Sequence, residues 1–272
     1  AVAGHPGVTT TWLGALGIAV TRLAAPAESA AHLDWIHRLA WLDPQNDQAF
    51  RHLSFFLPAG RVAVALVATL GLAALYPLLR RRFGHGTALL TVGLLAFDPF
   101  LIGSASLLHT DALVTTFVML ALAAALNGLR EDPRPQAGAS SKEKSPSDIR
   151  RGAWWALCGL FTGLALLTKT PSLILLPTTG LILLLTSLAR PPAGAANPLF
   201  QRVLAFAGRL ALFVAVTACV AFALYPALWR NPAAMRWGTP AVARIGETDV
   251  VITAGGDVVR AADGAALASG LA

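Results

Sequence analysis

The sequence predicts an all-α membrane protein, a multi-span bundle of transmembrane helices with an external juxtamembrane helical segment. Of its 272 residues, 56% are hydrophobic and only 13% are charged, and the mean hydropathy is +0.63. Soluble domains carry about 25% charged residues, so this chain is too apolar to be one of them. Its apolar residues also fall into runs of about the 20 residues that a helix needs to cross a bilayer.

Apolar runs divide the chain into three parts. The membrane part, 61–229, is predicted to hold about six spans and a polar cytoplasmic linker at 130–151. An external juxtamembrane segment, 1–60, precedes it, and an extramembrane tail, 230–272, follows. The predicted spans are 61–79, 87–104, 112–129, a hairpin of two within 153–189, and 204–224.

Basic residues orient these spans. Arg80-Arg81-Arg82 follows the first span, and further Lys and Arg residues fill the linker and the loop at 190–202. Because cytoplasmic loops are enriched in Lys and Arg, these segments are predicted to be cytoplasmic. The opposite, extracytoplasmic face then receives the polar residues that stand next to apolar runs, which is how a site at the outer membrane surface would look.

The two ends of the chain are harder to interpret. Segment 8–26 is apolar but short, so both a membrane span and a helix lying in the interface fit it. Segment 31–58 mixes aromatic with charged residues, as in an amphipathic surface segment. The tail contains the β-prone run 250–253 among Gly and Ala residues, and we expect a poorly ordered end there.

The turn His109-Thr110-Asp111 lies between two predicted spans and is the first candidate for a functional site. An ionisable residue at the rim of a span is costly, and a carboxylate there is a functional candidate by default. Lys169 is the second candidate, since it interrupts two apolar arms and residues 152–246 contain no acidic partner for it. A solvated turn and a snorkelling lysine are the structural interpretations of these two sites.

Several function classes find no support. The net charge of +7 resides at the ends of apolar runs, where it sets topology, so nucleic acid is not a predicted partner. Cys158 and Cys219 lie within apolar runs and read as small core residues. The sequence has no phosphate-binding loop, dinucleotide fingerprint or Cys/His metal spacing. No cofactor is predicted, although His109 and Asp111 leave a divalent cation open.

A series of local motifs adds to this picture by its order and spacing. It runs through His5-Pro6-Gly7, the Arg61 that opens a span, Phe97-Asp98-Pro99 with His109-Thr110-Asp111, Gly163 to Pro171, and Tyr225-Pro226-Ala227-Leu228-Trp229. Over about residues 4–232 the series resembles the dolichyl-phosphate-mannose–protein mannosyltransferase-like family, integral membrane glycosyltransferases of the GT-C class.

The resemblance implies a function. Such enzymes transfer a hexose such as mannose, with inversion, from a polyprenyl-phosphate carrier to a protein or glycan acceptor on the extracytoplasmic side of the cell membrane. The implied partners are therefore the lipid-linked sugar donor, the acceptor and the bilayer. Fixed cations suit this chemistry, because the lipid-phosphate leaving group gains negative charge as the glycosidic bond breaks.

The resemblance also assigns roles to residues. Lys169 matches the turn that contacts the carrier phosphate, with Thr170 where the family often has Gly. His5 and Arg61 match residues that contact phosphate or sugar, although a loop histidine and a helix-end anchor explain them equally well. His109 belongs to the same external turn as Asp111. Tyr225 is an aromatic residue of the kind enriched at the membrane–water interface, and it could also stack on the sugar.

Asp111 matches a supporting acid rather than the main base of the family. The principal carboxylate of the family lies upstream of the His-Pro motif, so we expect it before Ala1 and expect these 272 residues alone to be inactive. Asp98 precedes Pro99 at a span end, which favours a helix-capping role.

Two alternatives to a glycosyltransferase stay open. A secondary transporter would use Asp98, Asp111 and Lys169 as ion-binding or proton-binding groups, but such proteins usually show internal repeats and the sequence shows none. A non-catalytic membrane subunit would use these charges only to set its topology.

Overall fold

The structure of the chain is a computed structural model. The described residues are 7–37, 48–129, 146–189, 198–225, 241–245, 248–252, 258–260 and 266–268. The ten α-helices found there are α1 (Val8–Ala24), α2 (Pro26–His37), α3 (Gln48–Ser54), α4 (Leu57–Phe83), α5 (His85–Ala96), α6 (Pro99–Ala105), α7 (Asp111–Gly128), α8 (Pro146–Thr168), α9 (Leu175–Ala189) and α10 (Pro198–Leu224). A short 3₁₀ helix, Thr170–Ile174, joins α8 to α9.

For the described residues up to Tyr225, the predicted all-α, multi-span bundle is confirmed. Among the described residues, four segments are long and apolar enough to cross a membrane, namely α4, α7, α10 and the run Thr170–Ser187, which includes most of α9. The helix pair α5 and α6 makes a fifth if it counts as one bent span. The sixth predicted span corresponds to α8. Its apolar part, Gly152–Thr168, is shorter than the other segments and is therefore not counted among them.

The span predicted at 87–104 is bent in the structure. A bend of 59° separates α5 from α6. Pro99 cannot continue the hydrogen bonding of the preceding helix, and the Asp98 side chain accepts a 2.8 Å hydrogen bond from the amide of Phe100. A new helix therefore begins at Pro99, and the predicted capping role of Asp98 is confirmed.

Helix α7 forms the centre of the bundle. It packs against α4 on one side and α8 on the other, and 11 of its residues are buried. At its end, Gly128 lies so close to the indole of Trp155 on α8 that an added Cβ would be 3.0 Å away. Trp155 is buried within the main hydrophobic cluster, together with Leu113, Leu183 and Phe213.

Helices α8 and α10 pack closely through the GxxxG pattern formed by Gly159 and Gly163. A Cβ added at Gly159 would lie 2.7 Å from the carbonyl oxygen of Phe213, and one at Gly163 would lie 2.9 Å from Val220. The hydroxyl of Thr217 donates a 3.1 Å hydrogen bond to the carbonyl of Gly159. Small residues that let two backbones approach are the common basis of helix association in membranes.

These contacts define two ends of the bundle. Asp111 at the start of α7 meets Lys169 just after α8, and we call this the Lys169 end. At the other, the Arg80 end, the side-chain amide of Asn127 on α7 donates a 2.9 Å hydrogen bond to the carbonyl of Leu78 on α4. The guanidinium of Arg81 lies there over the ring of Trp154, 5.1 Å from its centroid.

The N-terminal segment forms helices that pack onto the Lys169 end. Helix α1 crosses the start of α4 at Gly17 and Gly60, where a Cβ on Gly17 would lie 2.5 Å from the backbone nitrogen of Gly60. Helices α2 and α3 then pair through His32 and His52, whose Nδ1 atoms are 2.8 Å apart. Trp35 stacks on His52 with ring centroids separated by 4.0 Å.

The tail differs from the expectation of a poorly ordered end. It contains four antiparallel strands in the order β1 (Ala241–Ile245), β2 (Thr248–Ile252), β3 (Val258–Arg260) and β4 (Ala266–Ala268). Strands β1 and β2 pair over their full length, from Ala241 opposite Ile252 to Ile245 opposite Thr248. Residues 250–252 of the β-prone run lie in β2 and pair with β1 on one side and β3 on the other.

Candidate active site

Lys169 stands at the break between α8 and the 3₁₀ helix. Its amide still donates to the carbonyl of Ala165 at 3.0 Å, as in a helix, but its own backbone is extended. Its carbonyl accepts two hydrogen bonds from Ser172, one from the amide at 3.1 Å and one from the hydroxyl at 2.7 Å. The backbone of Lys169 is thus fixed on both sides, with the ammonium at the rim of the bundle.

Asp111 is the partner of this lysine. The Nζ atom of Lys169 donates a 2.6 Å hydrogen bond to Oδ1 of Asp111, across 58 residues of sequence. Asp111 is the first residue of α7, where the helix dipole favours a negative charge. The expectation that Lys169 has no acidic partner held only within residues 152–246, and the antiparallel packing of α7 and α8 supplies one from outside that range.

His109 completes the cluster from the preceding turn. Its Nδ1 atom lies 3.4 Å from Oδ2 of Asp111, so both carboxylate oxygens face a nitrogen. The side chains are 28% exposed for Lys169, 33% for Asp111 and 56% for His109. The cluster is therefore open to a ligand but partly shielded from water, which strengthens its electrostatic contacts relative to a fully solvated surface.

The first turns of helix α1 are held beside this cluster by two side-chain hydrogen bonds. The hydroxyls of Thr9 and Thr168 are 2.7 Å apart and both residues are buried. Thr168 donates its single hydrogen to the carbonyl of Leu164 at 2.6 Å, so Thr9 is the donor in the contact between the two hydroxyls. The indole nitrogen of Trp12 donates a 2.9 Å hydrogen bond to the carbonyl of Leu224 at the end of α10.

The other predicted binding residues are distributed around the same end. Arg61 is exposed on the first turns of α4, next to Gly60, which packs against the side chain of Leu108 in the turn before His109. Tyr225 is half-buried and directly follows the α10 residue that binds Trp12. The structure thus brings His109, Asp111 and Lys169 into contact and places Arg61 and Tyr225 at the same end. His5 lies outside the described residues.

Sequence reasoning missed the residues that assemble this end. Thr9, Trp12 and Thr168 lie in apolar segments, and the sequence assigns no role to their polar atoms. A threonine inside an apolar run usually bonds to its own helix, so the sequence carried no signal for the contact between helices. Within the described ranges, no group of three or more His, Cys, Asp or Glu side chains is placed to hold a metal ion.

Comparison with known proteins gives one match. The sequence model of the dolichyl-phosphate-mannose-protein mannosyltransferase family matches residues 54–138, which comprise α4 to α7 and the start of the linker. The matched segment contains Arg61, His109 and Asp111 and ends before Lys169. No curated protein and no solved structure matches the chain significantly. Over residues 54–138, therefore, the chain is similar to the dolichyl-phosphate-mannose-protein mannosyltransferase family, in agreement with the resemblance of its motifs.

Proposed function

We propose that this protein is a membrane glycosyltransferase that moves a hexose such as mannose from a polyprenyl-phosphate carrier to an acceptor hydroxyl, with inversion, at the Lys169 end. The observation that carries the proposal is the 2.6 Å contact between Lys169 and Asp111 at the rim of an apolar bundle. A carrier whose tail lies in the bilayer would present its phosphate at this depth, beside the ammonium group.

Lys169 is the group that we propose to bind the carrier phosphate. An ammonium has three N–H donors, and Asp111 accepts one of them. The remaining donors are available to phosphate oxygens without breaking the pair. During transfer, the bond between the sugar and the phosphate breaks and its electron pair stays on the phosphate oxygen. A fixed cation at that oxygen stabilises the transition state more than the ground state.

Asp111 is proposed as a positioning acid. Its Oδ1 atom accepts from Lys169 and its Oδ2 atom faces His109, so both oxygens are engaged in holding the cluster. A carboxylate that already neutralises a lysine is a poor proton acceptor for an acceptor hydroxyl. This geometry supports the role of supporting acid that the family resemblance implied. His109, Arg61, Tyr225 and His5 are proposed to line the path of the phosphate and the sugar.

The proposed orientation of the protein in the membrane follows from the positions of its basic residues. Arg80, Arg81 and Arg82 end α4 at the end of the bundle opposite Lys169, and positively charged helix ends are retained in the cytoplasm. The Lys169 end would then face the extracytoplasmic side of the cell membrane, where a lipid-linked donor and a protein or glycan acceptor can meet.

The transporter alternative receives less support. Asp98, one of its three proposed ion-binding groups, accepts a hydrogen bond from the first turn of α6 and serves as a helix cap. Asp111 and Lys169 neutralise each other at one end of the bundle, whereas coupling ions of transporters bind near the bilayer midplane. No described feature favours this function over sugar transfer.

A binding experiment tests the proposal without requiring turnover. A short, fluorescently tagged polyprenyl phosphate is titrated against the full chain in neutral micelles. Lys169→Met is expected to weaken binding by more than about 10-fold, because a hydrogen bond to a charged group contributes about 1.5–3 kcal/mol. Lys169→Arg should restore most of the affinity, since it restores the charge.

The control is Arg22→Gln, which removes an exposed cation at the end of α1 and should leave binding unchanged. Asp111→Asn should not weaken binding of the phosphate, because it removes a negative charge from the site. If Lys169→Met binds the probe as tightly as the unmodified chain, the proposal is wrong and the non-catalytic subunit becomes the better explanation.

A further inference from the structure

The Arg80 end carries a groove to which the proposed function assigns no ligand. The end of α4 and the turn into α5 form an open groove of about 640 Å³, lined by Pro77, Arg80, Arg81, Arg82 and Gly84. Arg80 and Arg82 are exposed, and Arg81 is half-buried against Trp154 of α8. Three guanidinium groups therefore line one groove at a helix end, which is a strong local concentration of positive charge.

The helices that line the groove are held in place by hydrogen bonds and by the turn at Gly84. Gly84 adopts a positive φ of 89°, a left-handed conformation that L side chains rarely take, and this glycine lets the chain leave α4 and start α5 at once. The hydroxyl of Tyr76 and Nδ1 of His85 are 2.7 Å apart, which ties the two helices together on either side of the turn. On the inner side, Asn127 holds α4 to α7 through the carbonyl of Leu78.

The surroundings of the groove are apolar and exposed. Phe83 next to it is 49% exposed, and Leu89 and Leu90 on α5 are more than half exposed. Residues 57–97 contain no Asp or Glu, so α4 and α5 supply no acidic partner to Arg80 and Arg82. A ligand that fits both properties carries a negative charge at the level of the helix end and hydrocarbon chains along α5.

We propose that this groove binds the phosphodiester headgroup of an anionic glycerophospholipid, with Arg80 and Arg82 as its charged contacts and the acyl chains against the apolar surface of α5. Guanidinium groups match phosphate oxygens with paired, parallel N–H donors. Basic pockets between membrane helices are known sites for anionic headgroups. The proposal is independent of the sugar-transfer site, which lies at the other end of the bundle.

Lipid retention tests the proposal. The full chain is reconstituted in phosphatidylcholine bilayers containing about 30% phosphatidylglycerol, extracted in neutral detergent, and analysed for retained lipid by native mass spectrometry. The unmodified chain should retain phosphatidylglycerol in preference to phosphatidylcholine. Because each arginine near a headgroup contributes about a 5-fold preference, we expect Arg80→Gln or Arg82→Gln to lose about 5-fold and the double variant about 30-fold.

Two control variants distinguish lipid binding in this groove from a general attraction of anionic lipids to basic residues at the membrane surface. Arg202→Gln changes an arginine in the first turns of α10, outside the groove, and should leave the preference unchanged. The Arg80→Lys/Arg82→Lys variant keeps the charge but loses the paired donors, and an intermediate preference is expected. Thermal unfolding in pure phosphatidylcholine should be the same for all variants, which shows that they are folded.

Three results would overturn the proposal. The first is equal retention of the two lipids by the unmodified chain, and the second is a loss in Arg202→Gln as large as in the groove variants. The third is displacement of phosphatidylglycerol by millimolar glycerol phosphate, which would make the groove a site for a soluble anion instead of a lipid.

Discussion

The ion pair between Lys169 and Asp111 should be energetically coupled, and a double-mutant cycle measures that coupling. The variants are Lys169→Met, Asp111→Asn and the combination of both. A hydrogen bond to a charged group contributes about 1.5–3 kcal/mol, whereas a fully exposed ion pair contributes about 0.2–1 kcal/mol. At 28% and 33% exposure the two side chains lie between these cases, so we expect a coupling of about 1–2 kcal/mol.

Each single variant should therefore lower the free energy of unfolding by about 1–2 kcal/mol, because it leaves one partly buried charge without its partner. The double variant should lose about as much as one single variant and not the sum of the two. His109→Gln is the control, since its contact with Asp111 is 3.4 Å long and the side chain is 56% exposed, and we expect little effect from it.

The measurement is unfolding in mixed micelles by increasing amounts of SDS, followed by tryptophan fluorescence, with Trp155 in the core as a reporter. The reasoning is refuted if the losses of the two single variants add up to that of the double variant within about 0.3–0.5 kcal/mol, the usual limit for independent sites. Lys169 and Asp111 would then be close neighbours without a significant interaction.

Two further predictions concern the contacts that hold the helices together. Gly159→Ala should cost about 1–3 kcal/mol in SDS unfolding, because its Cβ would lie 2.7 Å from the carbonyl of Phe213 and α8 and α10 would have to move apart. Gly180→Ala in α9 is the matched control, since a Cβ there meets nothing within 4 Å, and an equal loss in both variants would contradict the GxxxG interpretation. Asn127→Ala should cost about 1 kcal/mol in the same assay through loss of its hydrogen bond to Leu78, a typical value between membrane helices, and an unchanged midpoint would show that this bond adds no net stability.

Sequence and structure agree on the elements that hydropathy alone determines, which are the long apolar helices. Long apolar runs must satisfy their backbone hydrogen bonds internally in a bilayer, so the helices α4, α7 and α10 were predictable from composition. The position of Lys169 at a break between two helices was predictable too, because a lysine before Thr170-Pro171 cannot sit in a continuous apolar helix. The alternation of basic loops along the chain also predicted that Asp111 and Lys169 lie on the same side of the membrane.

The pairing of those two residues was not predictable, because it depends on which helices are neighbours. Asp111 reaches Lys169 since α7 and α8 pack antiparallel, and that packing rests on the fit of Gly128 against Trp155 at the far end of both helices. The bend at Asp98 escaped prediction for another reason. A hydropathy average runs smoothly across Asp98-Pro99, although both residues carry the local signal of a helix start.

The contact between Lys169 and Asp111 would also determine how the proposed site treats ordinary anions. An isolated ammonium at the membrane rim would attract chloride, inorganic phosphate and free nucleotides, but a neutralised one exerts little force at a distance. At the proposed site, a phosphate would gain from Lys169 only at hydrogen-bond range, and it would reach that range only when something else holds it there. A long lipid tail in the bilayer provides such a tether, so the ion pair would act as a filter that favours membrane-anchored phosphates over the far more abundant soluble ones.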